Sequence, residues 1–204
     1  MNLLYNNCCF NVFDKIKDKT VDLVLVDLPY GQTGHCWDHW LDLNKIWVNL
    51  KRIGKDNCKY IFFTTTKYGY QLIQSNSNWF RYDLVWEKYS AVGFLSANKM
   101  PLRAHEMIYI FSEQRTDEIP QQSVIKFNQP IDLYEWLIKT YTKENDLVLD
   151  FCMGTGTTID AAITTKRNYI GIERNSEIFE TVEKRINHLD GKTLDGVNVD
   201  MTQN

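Results

Sequence analysis

LVLDFCMGTGTT, Leu147 to Thr158, is the stretch that decides the fold. A short apolar run stops at Asp150, two glycines follow at 154 and 156, and the chain then passes into IDAAITTK, a helix-like segment. A strand feeding a glycine turn and then a helix marks the carboxyl edge of an open α/β sheet, where ligands bind and where glycine lets backbone N–H groups come close to them. A dinucleotide fingerprint requires a third glycine at 159, where Ile159 stands, so hydride chemistry on a nicotinamide is disfavoured. Glu173 closes the next apolar run, where a carboxylate can accept from both ribose hydroxyls. Turn and acid together point to an adenosine-containing ligand; the plainer alternative is a tight turn with Glu173 capping a helix. Cys152 and Met153 fit packing beside the turn.

Working outward, seven runs have strand character: Leu3–Tyr5, Val21–Val26, Tyr60–Thr64, Tyr82–Glu87, Met107–Phe111, Leu147–Asp150 and Tyr169–Ile172. Helical periodicity separates several of them. Ile178, Phe179, Val182, Ile186 and Leu189 share one helix face that Asn175 can cap, and Pro130 opens a second helix with Leu133, Trp136 and Leu137 inward. Alternation of this kind predicts a mostly parallel sheet with helices on both faces, with the neighbouring strands at 82–87 and 107–111 as the place where that order breaks. Glu113–Gln122 is the most loop-like interior segment, and the polar residues after Asp190 form a loosely ordered tail.

The first long strand ends unusually, in VDLVLVDLPYG, Val21 to Gly31. Asp27 stands at the same carboxyl edge as the glycine turn, so the two segments are expected to share a pocket. An exocyclic amine on a base is a weak nucleophile because its lone pair is delocalised into the ring. A carboxylate and a neighbouring carbonyl that accept both amine hydrogens improve it, and Asp27 with the Leu28 carbonyl supplies that pair. Pro29 disfavours the α region at Leu28 and so holds that carbonyl extended. Tyr30 offers a face for an extruded base, a stacking contact worth about 1–3 kcal/mol, against a flipping cost of a few kcal/mol.

The totals bound these expectations. With 204 residues and 44% hydrophobic content the chain suits one globular domain. A net charge of −3 excludes a whole-molecule field that draws in nucleic acid, so any such contact must be local. Five cysteines without a C-x-x-C pair argue against a disulfide framework or a structural zinc site and fit a reducing cytoplasm. No run is apolar for the ~18 residues that a membrane helix needs. His35, His39, His105 and His188 have no metal-ligand spacing, and no metal is expected.

These segments resemble the circularly permuted, or β-class, amino-methylating DNA methyltransferases, in which a D-P-P-Y motif precedes the cofactor motif. The resemblance runs through VDLVLVDLPYG with Trp37-Asp38, Val85-Trp86-Glu87-Lys88, Gly93-Phe94-Leu95, Met100 to Glu106, and Pro130 to Ile186. It implies a seven-stranded, mostly parallel α/β sheet with helices on both faces that uses S-adenosylmethionine. Asp27, Leu28, Pro29 and Tyr30 then form the catalytic edge at the target base. Asp150, Phe151, Cys152, Gly154, Thr155, Gly156, Thr157 and Glu173 surround the cofactor, with Asn7, Asp27 and Asn128 completing its site. Aspartate at the first motif position resembles the N6-adenine members, where serine is more typical of cytosine N4 enzymes. The expected partner is double-stranded DNA, in the cytoplasm of a bacterium or of a phage-infected host.

Several positions depart from the family pattern. Leu28 replaces the first proline, freeing φ and adding an N–H. Asn6-Asn7-Cys8 replaces Gly-Asp-Cys, and Asn128-Gln129-Pro130 replaces Gln-Lys-Pro, which removes a lysine able to neutralise the cofactor carboxylate. The expected layout is a single methyltransferase domain over 1–190, a shortened recognition region at 112–127 and a flexible tail at 191–204. Base readout needs side chains held in a groove, so a homodimer or second subunit, or the loops at 31–40 and 88–103, must supply it. Lys88, Tyr89, Phe94, Lys99 and Arg103 are the expected DNA contacts. Two other functions stay open: a catalytically impaired relative acting as a cofactor- or partner-binding subunit, and methylation of a different amine in RNA or protein.

Overall fold

A computed structural model of the chain describes residues 2–29, 41–94, 98–99, 101–114 and 120–189. Tyr30, the loop at 31–40, Leu95, Met100, part of the shortened recognition region and the tail lie outside the described residues. The strands are β1 (Asn2–Asn6), β2 (Val21–Asp27), β3 (Gly54–Thr64), β4 (Phe80–Val92), β5 (Arg103–Phe111), β6 (Val124–Lys126), β7 (Leu147–Asp150) and β8 (Asn168–Glu173). The helices are α1 (Cys9–Val12), α2 (Leu43–Ile53), α3 (Thr66–Ser75), α4 (Pro130–Tyr141), α5 (Thr157–Thr164) and α6 (Ser176–Leu189).

All eight strands join one sheet in the order β1-β8-β7-β2-β3-β5-β4-β6. Pairing is parallel except on the two sides of β5, which runs against β3 and β4. The seven expected strands are all present, and the expected break in parallel order falls at the β4/β5 pair. The sheet has one strand more than expected. Val124–Lys126, read as part of a recognition remnant, pairs parallel to β4 from Val85↔Val124 to Glu87↔Lys126. Three residues are too few for a two-residue alternation to stand out in sequence.

Alternation along the central strands explains the layers. Val24, Val26, Tyr60 and Phe62 point into one apolar cluster under α1, α2 and α3, with Val12, Trp47, Leu50 and Tyr68. Leu23, Leu25, Ile61 and Phe63 point into the other, with Leu133, Leu137, Ile159, Phe179 and Val182 of α4, α5 and α6. Both faces are buried, so these strands read as continuous apolar runs. Helix ends follow the sequence signals. Pro130 occupies the first turn of α4, and Asn175 Oδ1 accepts from the N–H groups of Glu177 and Ile178 at the start of α6. Trp136, expected inward, is only partly buried beside that second cluster.

The connections turn in opposite directions from the centre. From β7 the chain passes through α5 to β8 on one side; from β2 it passes through α2 to β3 on the other. β2 and β7 are neighbours, registered at Leu23↔Val148 and Val24↔Leu149. A reversal of strand order between adjacent parallel strands opens a crevice beyond their carboxyl ends. Asp27 and Asp150 stand at those ends.

Candidate active site

One cavity of about 470 Å³ joins the two edges. Asp27, Leu28 and Pro29 line it on one side, and Asp150, Phe151, Cys152, Gly154, Thr155 and Thr157 on the other, with Asn7 and Glu173 at the rim. The two remote segments therefore meet. Two expected residues stand off it: Asn128 is exposed before α4, and Gly156 faces away. Gly156 caps α5 at φ +81°, and a Cβ there would come 2.7 Å from Val182 and 2.9 Å from Arg185, so this glycine serves the packing of α6. Gly154 is the opposite case. At φ +51° its Cβ position meets nothing within 4 Å, leaving open space for a ligand against the backbone.

Hydrogen bonds hold the turn rigid before anything binds. Asp150 is buried, and its two oxygens accept from the Cys152 N–H at 3.0 Å and the Thr158 hydroxyl at 2.5 Å. Burial pushes its pKa up to about 7 against those two bonds, which favour the carboxylate. Glu173 straps the turn from β8: one oxygen accepts from the Gly154 N–H at 3.0 Å, the other from the Asn175 N–H at 2.7 Å. Each oxygen keeps a lone pair for a further donor. Arg185 pairs with Asp160 at 3.0 Å and donates to the Thr155 carbonyl, fastening α6 to the outside of the turn. Asn7 is engaged locally. Its Oδ1 accepts from the Cys8 N–H and the Asn11 amide, and its own N–H donates to the Glu173 carbonyl.

The proline edge differs from expectation at Leu28. Its N–H donates to the Phe63 carbonyl at 3.3 Å, extending the β2/β3 ladder by one rung, and the residue is 2% exposed within the apolar core. Leucine here tightens the edge where a looser one was expected. Leu28→Pro is expected to remove that bond and leave part of the side-chain volume empty, costing about 2–4 kcal/mol. A thermal midpoint lower by roughly 10 °C checks it.

Asp27 is open to solvent at the mouth of the cavity, yet protein walls most of its surroundings. Desolvation and the nearby Glu106 carboxylate push its pKa up to about 7, partly opposed by Lys88. A small recess of about 20 Å³ on its far side is lined by Thr64, Thr65, Arg103, His105 and Glu106. Among the expected DNA contacts, Lys88 is held by Glu106 at 2.5 Å and lies 5.0 Å over the Trp86 ring, so its charge is already answered. Tyr89 and Phe94 are 88% and 82% exposed, with Lys99 and Arg103 exposed on the same β4/β5 hairpin. Tyr134, Thr158 and Arg174, which sequence reasoning did not single out, also line the cavity, as does Ile178, expected only on a helix face. No group of acids, histidines and cysteines arranged to hold a metal occurs among the described residues, and none of their helices is long and apolar enough to cross a membrane.

The sheet order, the crevice at its reversal point and the strapped glycine turn define the S-adenosylmethionine-dependent methyltransferase fold. Solved structures agree: M1.HpyAVI in complex with SAM superposes with a TM-score of 0.73 at 21% identity, covering 92% of this chain and 100% of that one. The cytosine-N4-specific PvuII DNA methyltransferase superposes at 0.72 with 15% identity, covering 98% and 87%. A DNA methylase family model matches residues 125–184, the segment from β6 through the glycine turn into α6. The type II methyltransferase M1.MboII of Moraxella bovis is 25% identical over 93% of this chain and 98% of its own length.

Proposed function

We propose that the chain transfers the methyl group of S-adenosylmethionine to the N6 amine of adenine in double-stranded DNA. The observation that carries this is the single cavity in which the Asp27-Leu28-Pro29 edge and the Asp150–Thr157 turn face each other. When bound, the cofactor supplies an electrophilic methyl group on a sulfonium. The residues fit it: Gly154 leaves backbone open to the cavity, Glu173 has acceptors for ribose hydroxyls, and Ile172 and Ile178 give an apolar wall for adenine. On the opposite side Asp27 accepts one amine hydrogen and the Leu28 carbonyl the other, which turns the nitrogen lone pair toward the methyl group. As the N–C bond forms, the amine becomes more acidic and Asp27 is placed to take its surplus proton. The similarity to type II DNA methyltransferases supports DNA as substrate, and aspartate at position 27 supports adenine over cytosine.

Purified protein incubated with methyl-labelled cofactor and unmethylated duplex DNA should yield labelled N6-methyladenine after digestion. Label in N4-methylcytosine would move the assignment to cytosine. Cofactor binding without label in any DNA would favour a binding subunit, and label in RNA or protein another amine. Only ionised Asp27 accepts strongly, and its folded pKa lies near 7. The initial rate is therefore expected to fall as pH drops from 8 to 6, which a pH–rate profile at saturating cofactor checks.

A further inference from the structure

Asp27 borders two spaces: the large cavity, and on its far side the recess of about 20 Å³ that Thr64, Arg103, His105 and Glu106 also line. In the proposed reaction the target amine occupies the cavity side. No hydrogen bond among the described residues reaches the Asp27 carboxylate, so no protein donor among them holds it from behind. Glu106, at the same recess, is held on one side only: Lys88 donates to its Oε1 at 2.5 Å, and Oε2 keeps its capacity to accept.

Thr64 presents the complement. It ends β3, paired with Met107 of β5, and is 4% exposed, yet its hydroxyl meets no hydrogen-bond partner among the described residues. Its neighbour shows the ordinary outcome, since the Thr65 hydroxyl accepts from the Tyr68 N–H at the start of α3. A buried hydroxyl without a partner is costly and needs a reason. Water supplies one where it finds roughly 10–15 Å³ and two to four polar partners, and the recess meets both conditions. A water has two hydrogens to give and two lone pairs to accept with, so a single molecule accepts from Thr64 and still donates to both carboxylates.

We propose that the recess is a water site in which one molecule accepts from the Thr64 hydroxyl and donates to the carboxylates of Asp27 and Glu106, which makes Thr64 a positioning residue for Asp27. One Asp27 oxygen is fixed from behind, and the other is left to accept from the amine. The water also answers two like charges at once and favours the ionised form of Asp27. The role in catalysis rests on the proposed function; the water site does not. The other titratable and charged groups around Asp27 are Lys88 on β4, Arg103 and His105 on β5, Asp150 on β7, and Tyr134 on α4, whose ring stacks on Phe63, the residue paired with Asp27 across β2 and β3. Thr64→Val leaves all of them in place.

The test compares Thr64→Val, which keeps the branched shape and removes the hydroxyl, with Thr64→Ser, which keeps the hydroxyl, both in the full chain. A crystal structure of the native chain should show a water within about 3.2 Å of both Thr64 Oγ1 and an Asp27 oxygen, and Thr64→Val should lack it. Asp27 is followed by NMR with ¹³C-carboxyl-labelled aspartate, its resonance assigned by its loss in Asp27→Asn. The expected result is an Asp27 titration displaced to higher pH in Thr64→Val and native-like in Thr64→Ser. In parallel, kcat for methyl transfer by Thr64→Val falls roughly fivefold, as for one lost hydrogen bond, its acid limb moves up in pH, and the Kd for S-adenosylhomocysteine stays within about twofold. A native recess without the water overturns the proposal, as does an Asp27 titration unmoved in Thr64→Val or equally displaced in Thr64→Ser. If the native chain methylates nothing while the water is seen and the titration moves, the proposed function fails and the water site stands.

Discussion

Asp27→Ala is expected to lower methyl transfer by about three orders of magnitude or more while leaving cofactor affinity within a few-fold. Removing a single preorganised hydrogen-bonding group that acts on developing charge costs about 10²–10³ in rate, and Asp27 is also placed to take the departing proton. On the proposed mechanism nothing in the ground state compensates, because the Leu28 carbonyl alone would withdraw one hydrogen and could not turn the lone pair. The proposed cofactor contacts lie on β7, β8 and the turn before α5, whose hydrogen bonds do not involve Asp27. Stability should move the other way. A carboxyl whose folded pKa is raised from 3.8 to about 7 binds its proton more tightly in the folded chain, so the folded state loses stability as pH rises from about 4 to about 7. Asp27→Ala removes that loss, and its unfolding midpoint should gain on the native chain at pH 8 and not at pH 4. Retained turnover in single-turnover assays would take Asp27 out of the mechanism.

Glu173→Ala is the second large effect, and it falls on binding. The carboxylate is proposed to accept two ribose hydroxyls while its two present bonds hold Gly154 and Asn175. Hydrogen bonds to a charged group contribute about 1.5–3 kcal/mol each, so losing both should weaken cofactor binding by about 10²-fold or more. Glu173→Gln separates the two duties. An amide retains one acceptor oxygen and turns its NH₂ toward a backbone N–H, so it should lose part of the affinity and also loosen the turn. Calorimetric titration with S-adenosylhomocysteine, read beside the unfolding midpoint, checks both variants. Equal affinity in Glu173→Ala and the native chain would leave Glu173 with the strap alone.

Much of this architecture was legible because it rests on local patterns. Leu23–Val26, Tyr60–Phe63 and Leu147–Leu149 are apolar runs, as strands covered on both faces must be, and Asn175 and Pro130 mark helix starts by their own chemistry. Meeting of the two edges was an expectation from their shared place at the carboxyl ends of strands, and the β2/β7 register supplies it. What escaped notice depends on distant partners. Leu28 appears a loosening substitution until the Phe63 carbonyl is placed opposite its N–H. Tyr134 sits in the apolar face of a helix and cannot be told from core packing until Phe63 and Asp27 are seen on one rung. Gly156 belongs to the glycine turn by spacing, but its crowding by Val182 and Arg185 comes from α6, far along the chain.

The acid-rich lining of the crevice bears on how a catalytic cycle ends. Asp27, Asp150 and Glu173 face the space that a sulfonium donor would occupy, with Arg174 the opposing charge on that wall. Such a lining holds a positively charged sulfur better than the uncharged thioether left after transfer, by Coulomb attraction across a few ångströms of poorly screened space. Under the proposed reaction the spent molecule would be less welcome than its replacement, and the electrostatics of the wall would favour its clearance. Weak inhibition by added S-adenosylhomocysteine, strengthening as pH falls through about 7 and Asp27 and Asp150 protonate, is how that preference would show itself at the bench.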